Sequence, residues 1–260
     1  MREFWFESTG VRLFAVEEGT GRVIVMLHGG MADHRAALPL IAPLGSRYRC
    51  IAPDLRGSGK SWSGGPLSFA LLADDVEVLL DRIGAHRAVV GGVSLGSGVA
   101  LRFALRRPAR IDGLVLIKPV YAGDEHGYTP QQQATFAMMD AVAMRALDEG
   151  VQVLRPLYEN LPPQLRDKAL AMIEGFDAAS VVATSRFVAS GMQPFASAVA
   201  GLRSLQCPTL LVRGNDALHP AEVSDLYGAN IPDCTVLPAT TTDVAAAIGE
   251  FCDRHFIPAR

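Results

Sequence analysis

The stretch Ala88-Val89-Val90-Gly91-Gly92-Val93-Ser94-Leu95-Gly96-Ser97 decides how this chain is read. It opens as an unbroken apolar run, the composition of a strand buried on both faces. It closes as a G-x-S-x-G pentapeptide, Gly92 to Gly96, and Ser97 to Leu105 then carry a helical pattern. A turn from strand to helix this tight tolerates only small neighbours and holds its central residue in a strained backbone conformation. The Ser94 hydroxyl is thereby expected to project above a sheet as a nucleophile. The Leu95 N–H, at the start of the helix, is expected to face an oxyanion developing beside it.

Working outward, the same apolar runs recur at Val23 to Leu27, Tyr48 to Ala52, Leu114 to Ile117, Thr209 to Val212 and Thr235 to Leu237. Phe4 to Phe6 and Val11 to Val16, broken by Thr9-Gly10, read as a hairpin. Between runs lie helical patterns: Leu71, Leu72, Val76, Leu79, Leu80 and Ile83 share one face, and Gly84 stops that helix. Alternating strands and helices predict an α/β fold with a mainly parallel sheet covered on both faces. From Tyr121 to Leu205 the alternation ceases. That stretch holds Ala/Met/Leu-rich segments punctuated by Pro130, Pro156, Pro162-Pro163 and Pro194, with helices clearest at Thr135 to Leu147 and Leu165 to Phe176. It reads as a helical cap, residues 121–205, inserted into a core of residues 1–120 and 206–260. Its apolar face is expected to roof a pocket for a compact hydrophobic ligand.

Length and composition bound the alternatives. The chain has 260 residues, 49% hydrophobic, with 24 Lys+Arg against 27 Asp+Glu. The acidic balance and the lack of a basic run speak against a nucleic-acid partner. No apolar run is long enough to span a bilayer, and Glu3 and Glu7 interrupt what a signal peptide would need, so a cytoplasmic protein is expected. The four cysteines form no C-x-x-C pair and read as buried thiols. The six histidines show no metal-binding spacing, so neither metal nor cofactor is expected.

The remaining motifs fall at the ends of strands, where open α/β sheets hold small-molecule ligands. In His28-Gly29-Gly30 the glycines let the backbone approach a substrate, with the Gly30 N–H aimed at the same oxyanion as Leu95 and His28 bracing the loop. Gly59-Lys60-Ser61 imitates the end of a phosphate-binding loop, but Asp54 occupies the position that would need glycine. A turn held by an Asp54–Arg56 network is expected instead. Asp216, in Arg213-Gly214-Asn215-Asp216, sits where a carboxylate could orient a catalytic imidazole. Lys118 reads as a surface lysine at a strand end.

Together these motifs resemble the α/β-hydrolase superfamily, in particular its cap-bearing esterases and enol-lactonases. The resemblance implies an eight-stranded, mostly parallel sheet with a helical cap after the sixth strand. It also implies Ser94 as nucleophile, Asp216 as triad acid, and the Gly30 and Leu95 N–H groups as oxyanion hole. The implied reaction is cleavage of a small, largely apolar ester, lactone or C–C substrate. One departure stands out: the family's triad histidine follows the last strand, and here Pro238-Ala239-Thr240-Thr241-Thr242 contains none. Among the other histidines, His86 and His255 fall at the wrong edge of the sheet, His34 lies on the oxyanion side and His126 opens the cap. His219 is the best substitute, but it follows Asp216 by only three residues and reads as a solvent-facing turn residue. The expectation is an incomplete triad, with weak aryl-ester turnover that His219→Ala changes by less than about tenfold. The alternatives are a non-hydrolytic lyase, cyclase or isomerase, or a triad-deficient ligand-binding protein.

Overall fold

The computed structural model describes residues 1–61, 65–159, 161 and 163–256; Pro162, one of the punctuating prolines, lies outside them. Eight strands form one sheet: β1 (Arg2–Ser8), β2 (Val11–Glu18), β3 (Val23–Leu27), β4 (Arg49–Pro53), β5 (Ala88–Val93), β6 (Ile111–Ile117), β7 (Thr209–Val212) and β8 (Cys234–Leu237). Their order is β1-β2-β4-β3-β5-β6-β7-β8. The β1–β2 and β2–β4 pairs are antiparallel and the other five are parallel. The first hairpin closes through two residues, Thr9 and Gly10, both at positive φ, the turn whose twist suits paired strands.

All five residues of β3 are buried. Alternation divides them between two cores. Val25 and Leu27 face helices α2 (Phe69–Arg82), α3 (Leu95–Arg106) and α8 (Ala221–Asn230). Ile24 and Met26 face α1 (His34–Ile41) and α9 (Val244–Phe256). Helix α2 starts where the Ser68 hydroxyl accepts the Leu71 N–H and ends before Gly84, which adopts φ +68°. Cys50 and Cys252 lie in the second core, where burial pushes both thiols up to about 12, so they act as small apolar groups.

Between β6 and β7 the described chain is helical: α4 (Pro130–Glu149), a 3₁₀ segment (Val151–Tyr158), α5 (Pro163–Ile173), α6 (Ala178–Ala189) and α7 (Ala198–Arg203). Helix α4 is longer than its apolar pattern because Thr129 and Gln132 form a reciprocal cap before it. Helix α5 stops three residues short of Phe176, and α6 and α7 carry no sequence pattern strong enough to have marked them. A third small core joins Ala143, Leu154, Ile173 and Val181 of this insertion to Met31, so the cap is anchored on the loop after β3. Among the described residues no helix is long and apolar enough to cross a membrane.

Candidate active site

Ser94 occupies the single residue between β5 and α3 at φ +52°, ψ −113°, a conformation that L-residues rarely adopt. Its flanking glycines are required by space. A methyl group on Gly92 would sit 2.2 Å from the Gly96 carbonyl carbon, and one on Gly96 would sit 2.5 Å from the His28 oxygen. The Ser94 N–H donates to Ile117 O at 2.9 Å, and the Ser97 hydroxyl donates to Ser94 O at 2.6 Å, so both sides of the strained residue are tied. The Leu95 N–H opens helix α3. The loop after β3 packs against this corner: a methyl on Gly29 would meet Ser94 Cβ at 3.6 Å, and one on Gly30 would meet Leu95 Cβ at 4.0 Å. Ser94, Leu95 and Gly30 are thus brought together.

The loop after β7 supplies the other half of the site. Asp216 Oδ1 accepts the N–H groups of Leu218 at 3.1 Å and His219 at 3.0 Å, which folds the chain back on itself. The same oxygen lies 2.7 Å from His219 Nδ1, and His219 Nε2 lies 3.0 Å from Ser94 Oγ. A carboxylate only accepts, so Nδ1 carries the imidazole proton and Nε2 is free to accept from the Ser94 hydroxyl. Burial opposes the ionisation of Asp216, yet the His219 hydrogen bond, together with the Lys118 ammonium, holds its carboxyl well below the usual carboxylate range.

This overturns the expectation of an incomplete triad. A three-residue separation is too short along an extended chain, but in a turn closed by the aspartate itself residues i and i+3 become neighbours. His219 is accordingly half-buried and faces Ser94 rather than solvent. The turn also depends on Gly214, where a methyl would lie 2.3 Å from the His219 carbonyl oxygen. The signal was present in the sequence as an Asp with a His three residues on. Reading it needed the turn.

Other sequence candidates take structural places. His28 is fully buried, its Nε2 accepts the Leu55 N–H at 2.9 Å, and its Nδ1 therefore donates to Gly29 O at 2.7 Å. Burial holds this imidazole below its ordinary value, consistent with a neutral brace for the glycine loop. Asp54 and Arg56 do not pair. Arg56 forks onto Asp75 at 2.7 and 2.9 Å, and Asp54 accepts from His34 and from the Lys60 N–H. Asp54 points back under the β3 loop while Arg56 crosses to α2, so each finds a buried partner of its own. Asp33, His34 and Asp54 lie close enough for a metal ion, but both carboxylates already accept N–H donors, from Arg35 and from His34 with Lys60. His255 packs on the Phe251 and Phe256 rings at the far end of α9.

A cavity of about 570 Å³ opens onto Ser94, His219, Gly30 and Leu95. Its walls are mainly apolar, with Met31, Tyr121, Phe136, Met139, Val188 and Leu218 around Ser94 and His219. Hydrogen bonds join the cap to the core beneath it: the Tyr158 hydroxyl donates to Met31 O at 2.8 Å, Arg35 of α1 donates to Met172 O at 3.2 Å, and the Thr184 hydroxyl donates to Gly57 O at 3.0 Å.

Known proteins share this architecture. The haloalkane dehalogenase 2 of Mycobacterium tuberculosis is 32% identical over 116 residues, 43% of this chain and 40% of that protein, so the match spans less than half of either. Among solved structures, an esterase from Thermogutta terrifontis with malate bound superposes at a TM-score of 0.80, with 25% identity over 99% of this chain and 100% of that one. The enol-lactonase of Burkholderia xenovorans does so at 0.77, with 18% identity over 96% and 97%. A family model described as alpha/beta hydrolase fold matches residues 22–237, from the start of β3 to the end of β8, and the chain belongs to that family.

Proposed function

We propose that the protein is a serine hydrolase of small, largely apolar carboxylic esters or lactones. The observation that carries this reading is the continuous chain of hydrogen bonds from Ser94 Oγ through His219 to Asp216. Ser94 Oγ attacks the substrate carbonyl carbon while His219 Nε2 takes its proton, and Asp216 stabilises the resulting imidazolium. The carbonyl oxygen, now an oxyanion, accepts from the Gly30 and Leu95 N–H groups. His219 returns the proton to the departing alcohol as the intermediate collapses to an acyl-Ser94 ester. Water, deprotonated by the same imidazole, then releases the acid and restores Ser94.

The apolar walls support a hydrocarbon-rich substrate, and a volume of about 570 Å³ falls within the range of small-molecule sites. The hydrolytic reading is favoured over a lyase or a binding protein because the base whose absence motivated those alternatives lies within hydrogen-bond distance of the nucleophile. The test is turnover of p-nitrophenyl esters and a γ-lactone, alongside mapping of a fluorophosphonate adduct by mass spectrometry. The expected outcome is steady turnover with the adduct on Ser94, and a fall of about 10⁴- to 10⁶-fold with loss of labelling in Ser94→Ala. Wild-type protein that neither turns over these substrates nor labels at Ser94 would overturn the proposal.

A further inference from the structure

The triad acid has a second oxygen, and the structure gives it one partner among the described residues. Asp216 Oδ2 accepts from Lys118 Nζ at 3.2 Å. Lys118 follows the last residue of β6, and the peptide joining it to Ile117 lies between the two halves of the triad. Its carbonyl, Ile117 O, accepts the Ser94 N–H, and its N–H donates to Val212 O at the end of β7, both at 2.9 Å. Immediately after this bridge the backbone enters φ +49° at Lys118, one of four non-glycine residues at positive φ among the described residues. Glycine would adopt that conformation freely, so a lysine there bears strain. Strain of this kind persists where the surrounding structure holds it, as the two backbone hydrogen bonds of this peptide do.

We propose that Lys118 is a positioning residue of the triad, whose ammonium holds Asp216 Oδ2 so that Oδ1 stays aligned on His219 Nδ1. This rests on the hydrolase reading of Ser94, His219 and Asp216. The need for the clamp follows from the exposure of the acid. Triad carboxylates are commonly buried, whereas the Asp216 side chain is 42% exposed. Three donors converge on Oδ1, two of them backbone N–H groups of the turn, and leave Oδ2 to Lys118 and solvent. An ammonium on Oδ2 adds a second point of attachment on the exposed side of the carboxylate. The ammonium makes no hydrogen bond to Ser94 or His219 among those described, and Lys118 also lines the cavity, so KM is followed alongside kcat to separate positioning of Asp216 from contact with substrate.

The test compares Lys118→Met, Lys118→Gly and Lys118→Arg by steady-state kinetics and by the downfield proton NMR resonance of His219 Nδ1–H, identified by its loss in His219→Gln. The expected result is a kcat lowered about three- to tenfold in both Met and Gly variants, with KM unchanged and Arg within about twofold of wild type. The glycine variant relieves the backbone, so its Tm does not fall below the wild-type value, and a loss of kcat there cannot come from a damaged fold. The resonance is expected to be sharp in wild type and Lys118→Arg and broadened in the other two. Wild-type kcat and an unchanged resonance in both Met and Gly variants would overturn the proposal, as would a wild-type spectrum without the resonance. Should the protein fail to hydrolyse esters, the resonance still decides the clamp, and only the hydrolase reading falls.

Discussion

Two neighbouring loops leave the carboxyl edge of the sheet, one after β7 and one after β8, and they solve opposite problems. The first, Arg213 to Pro220, is folded by the Asp216 carboxylate and presents His219 to Ser94. The second closes at once, the Thr241 N–H and hydroxyl both donating to Pro238 O at 3.0 and 2.7 Å, and Asp243 then accepts the Ala246 N–H to start α9. Distance explains why the chemistry lies in the first. β7 is two strands from β5 and β8 is three. At about 4.8 Å per strand these are gaps of roughly 10 and 14 Å. A loop after β8 must be long to reach the serine, and this one is short. The difference teaches that the base is located by reach to Ser94, not by the ordinal number of the strand that carries it.

The sharpest way to break this comparison is to remove the base and offer another from the second loop. His219→Gln is expected to lower kcat/KM by about 10⁴-fold or more and to abolish fluorophosphonate labelling of Ser94. Adding Thr241→His to that variant is expected to restore less than about tenfold, or 1.4 kcal/mol of barrier. Recovery close to wild type would show that the β8 loop reaches after all.

A gentler strain sharpens it. Gly214→Ala drives a methyl into the His219 carbonyl oxygen, so the first loop must shift. The expected cost is about 1–3 kcal/mol in unfolding free energy, read by denaturant titration, with kcat falling alongside. The smallest effect is expected from the second loop: two glycines inserted between Thr240 and Thr241 should leave kcat within about twofold. Extending a short surface loop costs only about 0.6 kcal/mol per doubling of its length. A large loss of kcat there would place a catalytic contact in the loop.

Most of the sheet was legible because its central strands are buried on both faces and must be apolar throughout, as Val23 to Leu27 and Ala88 to Val90 are. The elbow was legible for a steric reason, since Gly92 and Gly96 have no room for a side chain. What escaped was set by hydrogen-bond geometry within a turn. Asp216 and His219 carry no periodicity, and their alignment arises from which backbone N–H groups the carboxylate accepts. The Asp54–Arg56 pairing failed for a related reason: nearness in sequence is no guide once each residue is buried against a different element, α1 for one and α2 for the other. Helix α7 escaped because it has only six residues, and α6 because its Ala, Ser, Thr and Val positions carry no clear apolar stripe and packing supports it.

The turn at Asp216 also has a consequence for how the protein acquires activity as it folds. Acid and base are three residues apart, so their contact forms as soon as the local chain bends, at little loop-closure entropy. Ser94 and His219 are 125 residues apart, and their contact waits until β5, β6 and β7 are in register. Two thirds of the triad is therefore local, and a single long-range contact completes it. If the proposed hydrolase reading holds, regain of ester turnover after dilution from denaturant becomes a clock for the assembly of the central sheet.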